Sequence, residues 1–424
     1  MQNHVFIIDK NKKPLNLVNP ARARELLNKQ KAAVFRVFPF TLILKTAIDN
    51  PTIKPLTLKL DPGSKYTGIA LLDGENVIWC AELEHRGYQI KDALLSRRQL
   101  RRSRRNRKTR YRKPRFNNRK RSDNWLPPSL EHRILTTETW VKRLMRYASI
   151  SELWIEKVKF DMALMQNPEI SGVEYQQGEL QGYQVREYLL EKWGRECTYC
   201  GKKNVPLQVE HIYPKSKGGS NRVSNLCLAC EKCNQKKGNK PVEEFLKKKS
   251  DLVKKIKSQA KKTLKDAAAV NATRNKLVKV LSSLLPTKTA TGAQTKYNRT
   301  KLKLEKKHWI DAACVGDIDS LKLSTNQPLK IKCNGHGTRQ MCRTNKHGFP
   351  TRYVPRFKFF FMFQTGDIVK AIVTSGKKVG EYIGRIATRS SGSFNISIRE
   401  KLIQGISYKY CKTIHKKDGY SYAF

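Results

Sequence analysis

Apolar and polar positions alternate over several stretches of the chain and predict where strands and helices lie. Leu56, Leu58 and Leu60 alternate with polar neighbours, a half-buried strand that ends on Asp61. A glycine turn at Pro62, Gly63 and Ser64 leads to an apolar strand at residues 68–72. Asp73 and Gly74 then turn the chain into a third strand at 77–83. Before this series, residues 5–8 and 33–44 read as strands around a short helix at 20–29, with Asn19 as cap and Pro20 in its first position. After it, a helix beginning near Ser129 carries Ile134, Val141, Leu144 and Met145 on one stripe. A strand at 150–156 follows and ends on a second acid, Glu156. Residues 166–184 are polar and glycine-containing and read as a linker.

The second half continues in the same way. A helix at 264–285 breaks at Pro286, and the segment KTATGAQTKYNRT reads as a loop offering Gly292, Thr295 and Arg299 to phosphates. His308 and Asp311 stand three apart, so a helix puts both on one face. Beyond residue 325 the pattern is β-rich. The apolar run 357–363, the segments 368–373 and 379–386, and the alternating Phe394, Ile396 and Ile398 predict a small twisted sheet or SH3-like barrel.

Charge changes the picture. The 424 residues hold 86 Lys and Arg against 35 acids, a formal net charge of +51. A compact protein with that excess repels itself unless a polyanion neutralises it, which points to a nucleic acid. The excess is densest from Arg97 to Arg121, with 15 Lys/Arg and no acid. Arg97, Arg98, Arg101, Arg102, Arg104, Arg105, Arg107, Lys108, Arg110 and Arg112 fall in its helix-forming part, before Pro114 stops the pattern. Like charges three and four apart would destabilise that helix in isolation, so it is expected to lie along a phosphate backbone that orders it. No apolar run reaches the ~18 residues of a membrane span, and no signal peptide is expected. Six of the ten cysteines (Cys80, Cys227, Cys314, Cys333, Cys342 and Cys411) show no disulfide framework, so a reducing cytoplasm is the expected compartment.

The other four cysteines carry the clearest chemistry. Cys197/Cys200 and Cys230/Cys233 form two C-x-x-C knuckles, the spacing of a closed, structural tetrahedral Zn2+ site. Between and after them stand Glu210, His211, Asn225 and Asn234. Such residues can hold a hard divalent cation through oxygen beside a general base. A pure zinc staple would not need them. The stretch resembles the HNH (ββα-metal) nuclease family, with Glu210 and His211 at its acidic-His pair and Asn225 and Asn234 at its later asparagines.

Other segments extend the resemblance. The strand series ending on Asp61 resembles the opening of an RNase H-like fold, whose first strand carries a metal-binding aspartate. The arginine block resembles a bridge helix, and the segment at 13–24 resembles a PLMP segment but reads Pro-Leu-Asn-Leu at its core. In order, these resemble IscB, the transposon-encoded relatives of type II CRISPR nucleases. The fold class expected is α+β multidomain: a split RNase H-like (RuvC) domain with an inserted zinc-containing HNH domain, an arginine-rich bridge helix and a C-terminal β-rich domain. The expected boundaries are 1–55 (PLMP-like), 56–85 (RuvC-like I), 86–125 (bridge helix), 126–170 (RuvC-like II), 171–250 (HNH with its linker), 251–324 (RuvC-like III) and 325–424 (C-terminal).

The chemistry expected is metal-dependent phosphodiester hydrolysis at two centres. In one, Asp61, Glu156 and Asp311 hold two Mg2+ ions, with His308 as proton acceptor or positioner. In the other, Glu210 and Asn234 hold one Mg2+, His211 deprotonates the attacking water, and Asn225 either fixes the loop or stands near the metal. The resemblance implies the partners: a guide RNA of the omega type and a double-stranded DNA target, bound by one protein chain in a ribonucleoprotein. It implies that the HNH centre cuts the guide-paired strand and the RuvC-like centre the displaced one, and that the C-terminal region recognises a target-adjacent motif. Two other readings of the residues stay open. One is a junction-resolving or homing-type nuclease that reads DNA directly; the other is a non-enzymatic zinc-containing RNA-binding protein.

Overall fold

The computed structural model describes residues 2–424 except 108–124, 159–178, 262–266, 338–340, 348, 355–356 and 399–400. The chain divides into two compact units, Met1–Lys54 with Ala81–Ser149 and Thr325–Phe424, and Pro55–Cys80 with Ile150–Ser324.

The elements of the first third are β1 (Phe6–Ile8), α1 (Pro20–Asn28), β2 (Ala32–Arg36), β3 (Thr41–Leu44), β4 (Leu56–Pro62), β5 (Tyr66–Asp73), β6 (Asn76–Glu84), α2 (Gly87–Asn106) and α3 (Pro128–Met145). The middle of the chain adds β7 (Ile150–Val158), α4 (Glu179–Lys192), β8 (Leu207–His211), β9 (Leu226–Cys230), α5 (Glu231–Lys237), α6 (Val242–Phe245) and α7 (Ser250–Lys261). Next come α8 (Ala267–Ser282), β10 (Thr287–Thr291), α9 (Gly292–Lys301), α10 (His308–Ala313) and β11 (Lys322–Leu323).

The second unit is built on neighbouring strands in the order β10-β7-β4-β5-β6. β5 runs antiparallel to β4, with Asp61 opposite Gly68. β7 runs parallel to β4, with Leu60 opposite Ile155, and β10 runs parallel to β7. Leu58, Leu60, Ile69, Leu71, Leu153 and Ile155 are fully buried, each pair two apart on one covered face of its strand. Short α10 packs Trp309, Ile310, Ala312 and Ala313 onto Ala70, Leu72, Val77 and Cys80. Its start touches β5 at Gly68, where a Cβ would sit 1.8 Å from the His308 carbonyl oxygen. Only glycine allows that approach.

A β-hairpin of β8 and β9 followed by α5 makes a ββα unit, with Glu210 paired to Cys227 and His211 to Leu226. Its core of Cys197, Tyr199, Leu207, Val223 and Leu228 is continued by Tyr188 and Leu189 of α4 and by Ala293 of α9. Two expectations are corrected here. Residues 179–184 belong to helix α4 rather than to a linker. The KTATGAQTKYNRT segment is no loop but β10 and α9. Alternating β-branched threonines suit the strand, and Thr291 caps the helix by accepting from Gln294 N at 3.2 Å.

In the first unit, β1, β3 and β2 form a small sheet over Val5, Ile7, Leu15, Ala23 and Leu42. The outer half of β6 pairs with β12 (Leu329–Cys333). Two hairpins follow, β13 (Cys342–Thr344) with β14 (Pro350–Tyr353) and β15 (Phe359–Phe360) with β16 (Phe363–Gln364). The apolar run at 357–363 is split between β15 and β16, because Phe361 and Met362 turn through positive φ (50 and 67). β17 (Ile368–Val373), β18 (Gly380–Ala387), β19 (Ser393–Ile398), β20 (Lys401–Ser407) and β21 (Cys411–His415) form an antiparallel sheet in the order β20-β19-β18-β17-β21. Its core is Val369, Ala371, Ile386, Phe394, Ile396 and Ile406. The last strand, β22 (Tyr420–Ala423), pairs with β12. No described helix is long and apolar enough to cross a membrane.

Where β6 ends, His85 lies buried with Nδ1 3.0 Å from the Thr136 hydroxyl of α3. Burial, with His132 and Arg133 nearby, pushes its pKa down to about 3. Burial and the Arg86 and Arg133 charges push His132 down to about 4. Both imidazoles are held neutral in the fold, so the unfolded chain binds more protons below its ordinary histidine pKa. Their contribution to stability is complete above about pH 6.5 and is lost as pH falls toward 4. Urea unfolding midpoints are expected to fall from pH 7 to pH 4.5, with a shallower fall in His132→Gln.

Candidate functional site

The four cysteines gather as the spacing predicts. The ligand atoms of Cys197, Cys200, Cys230 and Cys233 lie within 4.8 Å of one another. Cys200 and Cys230 sulfurs are 3.7 Å apart, against the roughly 3.8 Å edge of a tetrahedron with Zn–S bonds of about 2.3 Å. Burial pushes the Cys197 thiol up, but backbone groups of Cys230, Cys200 and Tyr199 outweigh it and bring it down to about 7. This donor set fits zinc. Cys227 stands apart: it is buried 3.3 Å from the Tyr199 hydroxyl, and its thiol is pushed up to about 12, first by burial. It packs and does not ligate.

Glu210 and His211 are the last two residues of strand β8, and α5 brings Lys237 against Glu210 and Asn234 against Gln208. Asn225 fixes the loop: its Oδ1 accepts from Tyr213 N at 2.9 Å, and its Nδ2 donates to the Tyr213 and Ser220 carbonyls at 3.0 and 2.9 Å. His211 Nε2 lies 3.0 Å from Asn221 Oδ1. An amide oxygen only accepts, so Nε2 carries the proton and Nδ1 keeps the lone pair of a base. Asn234 donates from Nδ2 to Gln208 Oε1 at 2.7 Å, so its own Oδ1 is not engaged in that bond. Glu210 Oε1 pairs with Lys237 Nζ at 2.6 Å, and Lys237 is fully buried. Deleting one partner of such a pair leaves a stranded charge, at a cost of about 3–5 kcal/mol. The oxygens of Glu210 and Asn234 suit a hard divalent cation beside His211.

The carboxylates form a second constellation. Asp61 and Glu156 follow the paired residues Leu60 and Ile155, so the β4–β7 register sets them side by side. Buried Arg274 of α8 joins them: its Nη2 is 2.7 Å from Glu156 Oε1 and 3.4 Å from Asp61 Oδ1. Gly292 opens α9 against Glu156, and a Cβ there would lie 2.7 Å from the carboxylate. Asp311 of α10 pairs with Arg299 of α9, so Arg299 meets an acid rather than standing open for phosphate as the sequence suggested. His308 stacks on Tyr66 with ring centroids 4.8 Å apart. All these residues line one cavity of about 580 Å³, together with Lys65, Lys296 and Lys306. Among the described residues, the three carboxylates do not all come within the 4.8 Å of one another that the cysteine ligands keep. Their oxygens still form the donor class a hard cation takes.

A third cluster, His85, His132 and Cys333, lies in the first unit. Arg86 and Arg133 lower the His132 pKa, and the same positive charges oppose a cation there. On α2, Arg97, Arg98, Arg101, Arg102, Arg104 and Arg105 are exposed, and Arg107 follows the helix end. Lys108, Arg110 and Arg112 lie outside the described residues.

Lys237, Asn221, Arg274 and Tyr66 have no role in the sequence-based expectation. Lys237 stands in a lysine pair that reads as solvated charge, and Arg274 in a helix of mixed composition. Only the tertiary structure reveals their partners.

Residues 5–178 match the family described as RRXRR protein, and residues 197–250 match the HNH endonuclease family. The first pattern is literal in Arg101–Arg105, which reads RRSRR on α2. No curated protein matches the chain. Among solved structures, the chain resembles Streptococcus thermophilus Cas9 in complex with the AGAA PAM, at 11% identity and a TM-score of 0.23, over 61% of this chain and 32% of that one. It also resembles the type II-C Cas9 of Actinomyces naeslundii, at 16% identity and a TM-score of 0.18, over 46% and 29%. The chain thus spans about a third of the length of these Cas9 chains. The HNH endonuclease match over residues 197–250 and the RRXRR match together fit a nuclease of the IscB and Cas9 type.

Proposed function

We propose that this protein is an RNA-guided DNA endonuclease with two centres. The HNH centre cleaves the guide-paired strand and the RuvC-like centre the displaced strand. The observation that carries the reading is that two distinct carboxylate-and-histidine constellations stand in one compact unit, one on a ββα hairpin and one at the ends of β4, β7 and α10. A binding protein has no use for two. The strand order β10-β7-β4-β5-β6, with Asp61 ending the middle strand, supports the RNase H-like reading. The net charge of +51 and the arginines of α2 suit a polyanion as long as a guide with its target.

At the HNH centre, Glu210 and Asn234 would hold Mg2+. His211 takes the proton of the attacking water at Nδ1, and Asn221 fixes the ring through Nε2. At the second centre, Asp61, Glu156 and Asp311 would hold the cations, and His308, braced by Tyr66, positions or accepts a proton. Bound Mg2+ supplies charge for the phosphate and a more acidic water. Cys197, Cys200, Cys230 and Cys233 would hold a structural Zn2+. The domain boundaries given by sequence remain part of this proposal, as do the target-adjacent-motif role of residues 325–424, a single protein chain per ribonucleoprotein and the prokaryotic cytoplasm.

Purified with RNA from its native flanking DNA, the protein should carry one discrete RNA and linearise a matching supercoiled plasmid. His211→Ala and Asp61→Ala should each give nicked circles, cut on opposite strands, and the double variant neither product. Specific cutting by an RNA-free preparation would favour direct DNA reading, and no cutting at all a binding protein. Asn221→Leu should slow guide-paired-strand cleavage about 10–100-fold with unchanged DNA affinity, since it frees the base to rotate; single-turnover kinetics on a strand-labelled duplex measures this. Gly292→Ala should suppress displaced-strand cleavage while leaving the other strand's rate intact, because its methyl group falls on Glu156.

A further inference from the structure

Arg274 is bound in a way that its position in a helix does not explain. Its Nε donates to the Pro62 carbonyl at 2.8 Å, directly after Asp61. Its Nη2 spans Asp61 and Glu156, at 3.4 and 2.7 Å. The side chain is only 6% exposed. Its remaining nitrogen, Nη1, is buried with no hydrogen-bond partner among the described residues. A guanidinium is a rigid fork of five N–H donors and cannot shed its charge. A buried donor left without an acceptor is costly, so an acceptor belongs at that edge. The residue lines the same cavity as Lys65, Lys296 and Lys306, which makes an anionic acceptor the favourable one.

We propose that Arg274 is a two-sided contact of the carboxylate centre. Its Nε and Nη2 edge holds Asp61 and Glu156 in place, and its Nη1 edge takes a phosphate oxygen of the strand entering the cavity. The inference rests on the reading of Asp61, Glu156 and Asp311 as a phosphodiester-cleaving centre. Charge gives it a second consequence. One guanidinium against two carboxylates reduces their pull on a divalent cation, so the pair binds metal more weakly than two bare acids would. A strand phosphate on the far edge would draw off part of that positive charge. Metal and strand would therefore bind together more readily than either alone.

The test uses the full chain with its co-purified nucleic acid in an Asn234→Ala background, which removes a cation ligand of the other centre without stranding the buried Lys237. Mn2+ binding is followed by electron paramagnetic resonance without target, and displaced-strand nicking is timed with a matching plasmid. Arg274→Gln should bind Mn2+ several-fold more tightly and nick about 100-fold more slowly. Arg274→Lys keeps the charge but not the fork, so its Mn2+ affinity should stay near that of the parent while nicking falls about tenfold. Parental nicking by Arg274→Lys would overturn the proposal, as would unchanged Mn2+ affinity in a folded Arg274→Gln. If Arg274→Gln does not fold, the lysine variant decides. Asp61→Ala in the same background is the separate control. If it keeps both Mn2+ binding and nicking, the carboxylate centre itself is misassigned.

Discussion

The parallel pairing of β4 with β7 is the constraint on which the candidate centre depends. Leu60 and Ile155 are the last pair of that ladder, and the next residues, Asp61 and Glu156, stay held by β5 and β10 on either side. A slip of one residue by either strand would turn its acid to the other face and put polar neighbours where Leu58 and Leu60, or Leu153 and Ile155, are buried. The hydrophobic core therefore sets the position of two carboxylates that contribute nothing to it. Gly68 adds the third element by letting the start of α10 lie against β5, which sets where His308 and Asp311 begin.

Bringing acids together in a partly buried place is unfavourable unless positive charge comes with them. This chain supplies it from an abundant stock. Arg274 meets Asp61 and Glu156, Arg299 meets Asp311, and Lys237 meets Glu210. These pairs differ from the exposed ones such as Arg22–Glu25, which solvent screens and which add little. The excess of Lys and Arg thus has two physical roles. The arginines of α2 face water, while a few cations elsewhere are folded in against the acids.

What could be read from the sequence follows from the range of the interactions. The four cysteines and the Glu210–His211 pair lie within one short stretch, 197–233, where spacing alone fixes proximity, so the cluster was legible. Strand ends at Asp61 and Glu156 were visible from alternation and chain turns, but their register was not, since it depends on pairing between distant segments. The 287–301 segment was misread because threonine and glycine serve loops, edge strands and caps alike; only the parallel pairing with β7 and the Thr291 cap decide between them. The break at Phe361 and Met362 was hidden for the opposite reason. Apolar residues seldom take positive φ, and nothing in a phenylalanine-rich run announces a turn.

The two constellations also differ in how far along the chain they must be assembled, and the second unit has a device that bears on this. The HNH hairpin is inserted between β7 and β10, which must pair with each other for the sheet to close. A long unstructured insert would burden that pairing with loop-closure entropy, and the burden grows with the effective length of the loop. Here the two helices that bracket the hairpin are fastened to each other. Lys192 of α4 donates from Nζ to the Ala260 carbonyl at 2.6 Å, and Gln259 of α7 donates to the Lys192 carbonyl at 3.1 Å. The insert is thereby closed at its base. Once folded, it shortens the path from β7 to β10 instead of lengthening it. A locally folding unit closed at its base is therefore the kind of insert that a sheet carrying Asp61 and Glu156 on adjacent strands can accept without losing their register.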